Sequence, residues 1–158
     1  MLLLITFQVF LHSDFQLKIS SKLQDLCKNL KIIIKIHLRN IKLFIDGSHA
    51  VGQIPLDMKD LDPDYYISNG HKWLSSSHGS AFLYVKKSLQ FEIHSPITSI
   101  YYGQGFQKEF QYTATRDYTS MFTFMPAIDF HLELKDENIW KYNNNLCKKA
   151  GNLYSIFD

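Results

Sequence analysis

The sequence predicts an α/β fold in which a mixed, mostly parallel sheet is covered by helices. Short apolar runs at 2–11, 32–45, 65–67 and 80–85 are separated by stretches of helical periodicity, as in strands joined by crossovers. The first run lacks two-residue alternation, as expected of a strand buried on both faces. Two strands break off into polar and small residues, at Asp46-Gly47 and Ser68-Asn69-Gly70, and α/β sheets bind ligands at such strand ends.

Residues 2–11 (LLLITFQVFL) are dense in Leu, Ile, Val and Phe and predict the first strand. The apolar start also has the look of a signal-peptide core, but no Lys or Arg precedes it and no small-residue cleavage site follows. Residues 20–31 predict a helix, capped by Ser20 or Ser21, with Leu23, Leu26, Cys27 and Leu30 on one stripe. In 32–45, Ile34, Ile36 and Leu38 alternate with Lys35, His37 and Arg39 before Leu43, Phe44 and Ile45, which predicts an extended strand ending at Asp46. A membrane-surface role for the basic, Ile-rich run 31–42 is the weaker alternative, because its period is two.

Pro55 and the acidic stretch 57–64 read as a turn or short helix. Tyr65, Tyr66 and Ile67 form the next strand, and Ser68-Asn69-Gly70 a tight turn that delivers His71 and Lys72. Ser80–Val85 forms another strand after Gly79. Residues 95–116, rich in Gly, Gln, Tyr and Thr, predict a long functional loop. Residues 119–134 and 136–150 predict two helices, the second capped by Asp136.

The 158 residues and 46% apolar content suit one domain with a buried core. A formal charge of +2 gives no reason to expect nucleic acid. Two cysteines, Cys27 and Cys147, without CxxC spacing, argue against disulfides or zinc and for a reducing compartment, the cytoplasm. Both fall on apolar stripes and read as core residues. No apolar run reaches the roughly 18 residues that cross a bilayer, so no membrane partner is expected.

Chemistry concentrates in two clusters, Asp46-Gly-Ser-His49 and Ser68-Asn-Gly-His-Lys72-Trp73. A crossover connects them, so both can face one ligand. A Lys beside a His and an aromatic at a sheet edge suits a Schiff base with an aldehyde. An Asp at a neighbouring strand end suits a protonated pyridine nitrogen, whose ring then accepts carbanion electrons. Taken singly the residues have plainer readings: a solvated Lys or Asp, hydrogen-bonded core histidines at 49 and 71, a turn-shaping Ser68, and packing for Trp73.

The string LFIDGSHAVGQIPLDMKDLDPDYYISNGHKWLSSSHGSAFLYV, followed by QYTATRD, resembles the class V aminotransferases, nearest the branch containing isopenicillin N epimerase. The likeness is continuous from Leu43 to about Leu134, and HSDFQLKISSKLQDLCKN resembles the preceding loop and helix. It implies part of the large domain of a type I transferase fold dependent on pyridoxal 5'-phosphate (PLP), over 1–134. Residues 135–158 would be a helix leading toward a small domain outside this sequence. By the resemblance Lys72 bears the cofactor, Asp46 pairs with the pyridine nitrogen, His49 contacts the phenolic oxygen, and Ser68 and His71 hold the phosphate. Thr115 would reach the phosphate of a neighbouring subunit in a homodimer; an ordinary loop threonine, with Arg116 and Asp117 as a loop ion pair, is the plain alternative.

An amino-acid substrate is implied, with racemisation, transamination, desulfuration and lyase outcomes all open. Ala114 stands where the family pattern Gly-Thr-Arg-Asp has Gly, at a cost of about 1 kcal/mol if that position has positive φ. Residues 31–42 resemble an insertion. The family's glycine-rich phosphate loop and the small domain's carboxylate-binding Arg lie outside this sequence, and the alternative function is a truncated, inactive fragment acting as an interaction domain.

Overall fold

A computed structural model describes residues 2–6 and 41–154. The expected helix at 20–31, the run 7–11, Cys27 and residues 31–40 of the insertion lie outside the described residues. Four strands, β1 (Leu2–Thr6), β2 (Lys42–Asp46), β3 (Tyr65–Asn69) and β4 (Ala81–Val85), form one sheet in the order β1-β2-β3-β4. The β1–β2 and β2–β3 pairs are parallel and β3–β4 is antiparallel, the mixed sheet expected.

In β2 the alternation of side chains sends Leu43 and Ile45 to one face, where they pack with Tyr66 into a small core flanked by Ile41, Val51 and Met58. Tyr65, Val85 and Leu89 form a second cluster with Phe44 and Phe106. Asp64 aligns the strand starts: its backbone N–H donates to the Leu43 carbonyl (3.0 Å), and its buried carboxylate accepts the Leu43 N–H (2.7 Å). The parallel β2–β3 pair requires a crossover, residues 47–64, containing α1 (Met58–Leu61). Asp57 caps α1 by accepting from the Lys59 N–H at 2.7 Å.

Several boundaries differ from expectation. The Ser68-Asn69 pair continues β3, because Ser68 and Asn69 find antiparallel partners in Phe82 and Ala81; the turn begins at Gly70. The expected loop 95–116 contains α2 (Phe106–Gln111), nucleated where Glu109 is buried and accepts from the loop ahead of it. The expected helix 119–134 is two, α3 (Thr119–Phe122) and α4 (Phe124–Leu134), because the Thr123 hydroxyl turns to the Ser120 carbonyl and to Ser76 and Ser77.

Asp136 does not cap α5 (Asp136–Tyr154) from outside; it is the first helical residue, and its carboxylate accepts from the buried His131 ring at 2.7 Å. Cys147 is half-buried on α5, not core, on a helix whose Tyr142 and Leu146 are exposed. Among the described residues no helix is long and apolar enough to cross a membrane.

Candidate functional site

Parallel pairing of β2 and β3 puts their carboxyl ends side by side, so Asp46 and the turn after Asn69 share one edge of the sheet. The half-buried Asp46 carboxylate accepts from the Ser48 N–H at 3.0 Å and from the Ser48 hydroxyl, which set its orientation. One turn later, His49 comes within reach of the lysine loop. Its Nε2 lies 3.3 Å from Lys72 Nζ, and its Nδ1 accepts from the Trp73 indole N–H at 3.3 Å. Burial holds the His49 pKa below its ordinary value; the Lys72 charge lowers it further and the Asp46 charge opposes the shift. His49 therefore feels Lys72 and Asp46 together.

The loop carrying Lys72 is held from beneath. The Gly70 N–H donates to the Ser80 carbonyl (3.0 Å), and the same oxygen accepts from His71 Nδ1 at 2.7 Å, which places a hydrogen on Nδ1. Ser76 donates to Ser80 Oγ and meets Thr123 Oγ1, each at 2.8 Å. Lys72 itself is exposed. Ser68 is buried and donates to the Gly47 carbonyl at 2.8 Å, tying the two strand ends together.

Two close approaches shape the floor. A Cβ at Gly47 would overlap the Tyr66 phenol, and one at Gly52 (φ +82°) would overlap the Trp73 carbonyl. Tyr66 Oη is buried without a hydrogen-bond partner, and burial pushes its pKa up to about 12. The Ser68 hydroxyl partly offsets that shift, but its hydrogen goes to Gly47 and it completes no bond to the phenol. The Trp140 indole donates to the Gly52 carbonyl at 3.1 Å and fastens α5 to the site.

Of the residues singled out in the sequence, Asp46, His49, Ser68, His71 and Lys72 fall at this edge. Thr115 does not: it is exposed on the loop between α2 and α3. Beside it Arg116 lies over the Tyr118 ring at 4.9 Å and Asp117 accepts from Thr119, contacts that stand where the plain alternative had an Arg116–Asp117 ion pair. Sequence reasoning passed over Ser48, Tyr66 and Thr123 and assigned Trp73 to packing. Only the adjacency of Trp73 to Lys72 and of Ser48 to His49 marked them. An apolar groove of about 510 Å³, lined by Val51, Leu74, Phe82, Met121, Phe124 and Ile128, opens alongside. Among the described residues no three His, Cys, Asp or Glu gather to hold a metal ion.

Comparison with known proteins agrees with this architecture. The family described as aminotransferase class-V matches residues 24–153. A putative L-cysteine desulfhydrase 1 of Oryza sativa subsp. japonica is 38% identical over 91 residues, 56% of this chain and 19% of the relative. An L-cysteine desulfhydrase of Arabidopsis thaliana is 36% identical over 90 residues, 56% of this chain and 20% of the relative. The matched part is thus about a fifth of the length of these relatives. Among solved structures, a cysteine desulfurase from Thermococcus onnurineus NA1 superposes with a TM-score of 0.57 at 16% identity, covering 72% of this chain and 30% of that one, a likeness of fold.

Proposed function

The chain belongs to the class V aminotransferase family, which depends on PLP, and on that premise we propose that it carries the cofactor-bearing lysine of an enzyme acting on an amino acid. The observation that supports this reading is the convergence of Lys72 and Asp46 on His49, from two neighbouring strand ends. The donor set fits the group: an exposed amine for the aldehyde, a carboxylate fixed by Ser48 for the pyridine nitrogen, and an imidazole beside the amine for the phenolic oxygen. When bound, PLP supplies a sink for the electrons left at the substrate Cα.

Lys72 is assigned the covalent attachment and, once displaced by the substrate amine, the removal or return of the Cα proton. Asp46 would hold the pyridine nitrogen in its protonated form when the cofactor is bound. His71 is assigned to the phosphate together with Ser68, whose buried hydroxyl would have to turn from the Gly47 carbonyl to reach it, and Thr115 to the phosphate of a second copy in a homodimer. The exposed Phe122, Met125 and Leu132 are compatible with such an assembly.

For the reaction type, the names of the rice and Arabidopsis relatives favour elimination from a sulfur amino acid. That outcome needs proton transfer by Lys72 and no thiol nucleophile. Racemisation, as in the isopenicillin N epimerase branch, is the second reading and shares the same proton transfer. The cytoplasm is the proposed location.

The test is direct. Purified chain titrated with PLP should turn yellow with a lysine-bound absorbance band, and Lys72→Ala should abolish the band. A folded sample that stays colourless at saturating PLP refutes the reading and favours the inactive interaction domain.

A further inference from the structure

We infer that Trp73 is a positioning residue that selects the tautomer of His49, so that His49 meets the Lys72 nitrogen as a hydrogen-bond donor. The inference rests on the role proposed for Lys72. An indole N–H only donates, and Trp73 Nε1 points it at His49 Nδ1, 3.3 Å away. A neutral imidazole has one bare nitrogen and one N–H. With Nδ1 bare, the hydrogen sits on Nε2, the atom 3.3 Å from Lys72 Nζ.

The neutral ring is the form to consider, because burial, the larger cause and one that does not depend on the charge of Lys72, disfavours the imidazolium. Both contacts can be made at once only when His49 donates and the Lys72 nitrogen offers its lone pair. The opposite tautomer, with the hydrogen on Nδ1, would let Nε2 accept from Lys72 but would set two N–H groups against each other at Trp73. The indole thus favours the arrangement in which the lysine lone pair is available. That lone pair is what bonds to an aldehyde carbon, the nitrogen giving up two hydrogens as the aldehyde oxygen departs as water.

The position of Trp73 is itself held from outside the lysine loop. The Gly52 backbone packs against the Trp73 carbonyl so closely that a Cβ would overlap it, and Gly52 is fastened to α5 through Trp140. Packing alone would need an aromatic ring at position 73; tautomer selection needs its N–H.

Nitrogen-15 NMR of the full 158-residue chain without cofactor reads the tautomer, with His49→Gln used for assignment. The expected wild-type pattern is a bare Nδ1 and a protonated Nε2. In Trp73→Phe the two signals should move toward a mixture of tautomers, and the rate of yellow-band formation with PLP at neutral pH should fall about three- to tenfold, the scale of one hydrogen bond. At alkaline pH, where the amine is free in both proteins, the rates should converge. Hydrogen on Nδ1 in the wild type overturns the inference even if Trp73→Phe does not fold. An unchanged tautomer and rate in folded Trp73→Phe overturn it as well. If the wild type shows the expected tautomer but never colours, the Lys72 reading fails and the tautomer selection stands; normal colour with hydrogen on Nδ1 has the converse meaning.

Discussion

His49 sits at the meeting point of two charges from different strand ends, with Lys72 Nζ 3.3 Å from its Nε2 and the Asp46 carboxylate close enough to oppose the lysine. The arrangement makes the imidazole a reporter on both neighbours. By NMR, His49 should titrate below its ordinary value of 6.5. Lys72→Ala should raise that midpoint by removing a cation, and Asp46→Asn should lower it further by removing an anion. The sign for stability follows: below pH 6.5 the unfolded chain takes the proton first, so the His49 contribution is lost as pH falls toward the folded value. A midpoint indifferent to both substitutions would mean that the three groups do not share a site.

Gly47 and Tyr66 give a packing test of the same edge. Because a Cβ at Gly47 has no room above the phenol, Gly47→Ala should cost about 1–3 kcal/mol in chemical denaturation. Tyr66→Phe removes a buried hydroxyl without a partner and should leave stability unchanged or raise it by about 1 kcal/mol. A loss exceeding that amount in Tyr66→Phe would reveal a hydrogen bond to the phenol.

Ala114 adopts φ +73°, a left-handed conformation that its Cβ resists, and its carbonyl is held by the Tyr118 hydroxyl at 2.8 Å. Ala114→Gly should therefore raise the unfolding free energy by about 1 kcal/mol. A lower denaturation midpoint in that variant would contradict the strain.

Glu109 staples the loop ahead of α2. It is 2% exposed, and it accepts from His94 Nδ1 and from the Gly103 and Ser95 N–H groups. Burial alone would raise its pKa, but the His94 bond followed by the two backbone bonds outweighs burial and leaves it below the ordinary 4.5. A lowered carboxyl stabilises the fold above that value, and the contribution drains away as pH falls through the folded pKa. Amide exchange at Gly103 should accelerate across that acid range, and Glu109→Gln should remove the pH dependence. Exchange at Gly103 with no acid transition would show that the carboxylate does not hold the loop.

The elements most legible in the sequence were those whose side chains repeat the period of their backbone. Leu43 and Ile45 alternate with half-buried neighbours as a strand requires. The site motifs were legible for a similar reason, since Asp46 closes β2 and Lys72 follows the abrupt end of β3. The break at Thr123 was not, because its hydroxyl is satisfied by Ser76 and Ser77, more than forty residues earlier in the chain. Nor was α2, which depends on burying a charged Glu109 that composition alone places in solvent.

The sequence by itself determined where the strands fall along the chain, the amine and carboxylate at two strand ends, and the family to which they belong. Tertiary structure alone decided the register of β2 against β3, that His49 comes within 3.3 Å of Lys72 Nζ, and that Trp73 faces it with an N–H. The difference is one of range. Local backbone preference and hydrophobic period act over a few residues, whereas the polarity of a hydrogen bond between residues more than twenty positions apart exists only once the strands have paired.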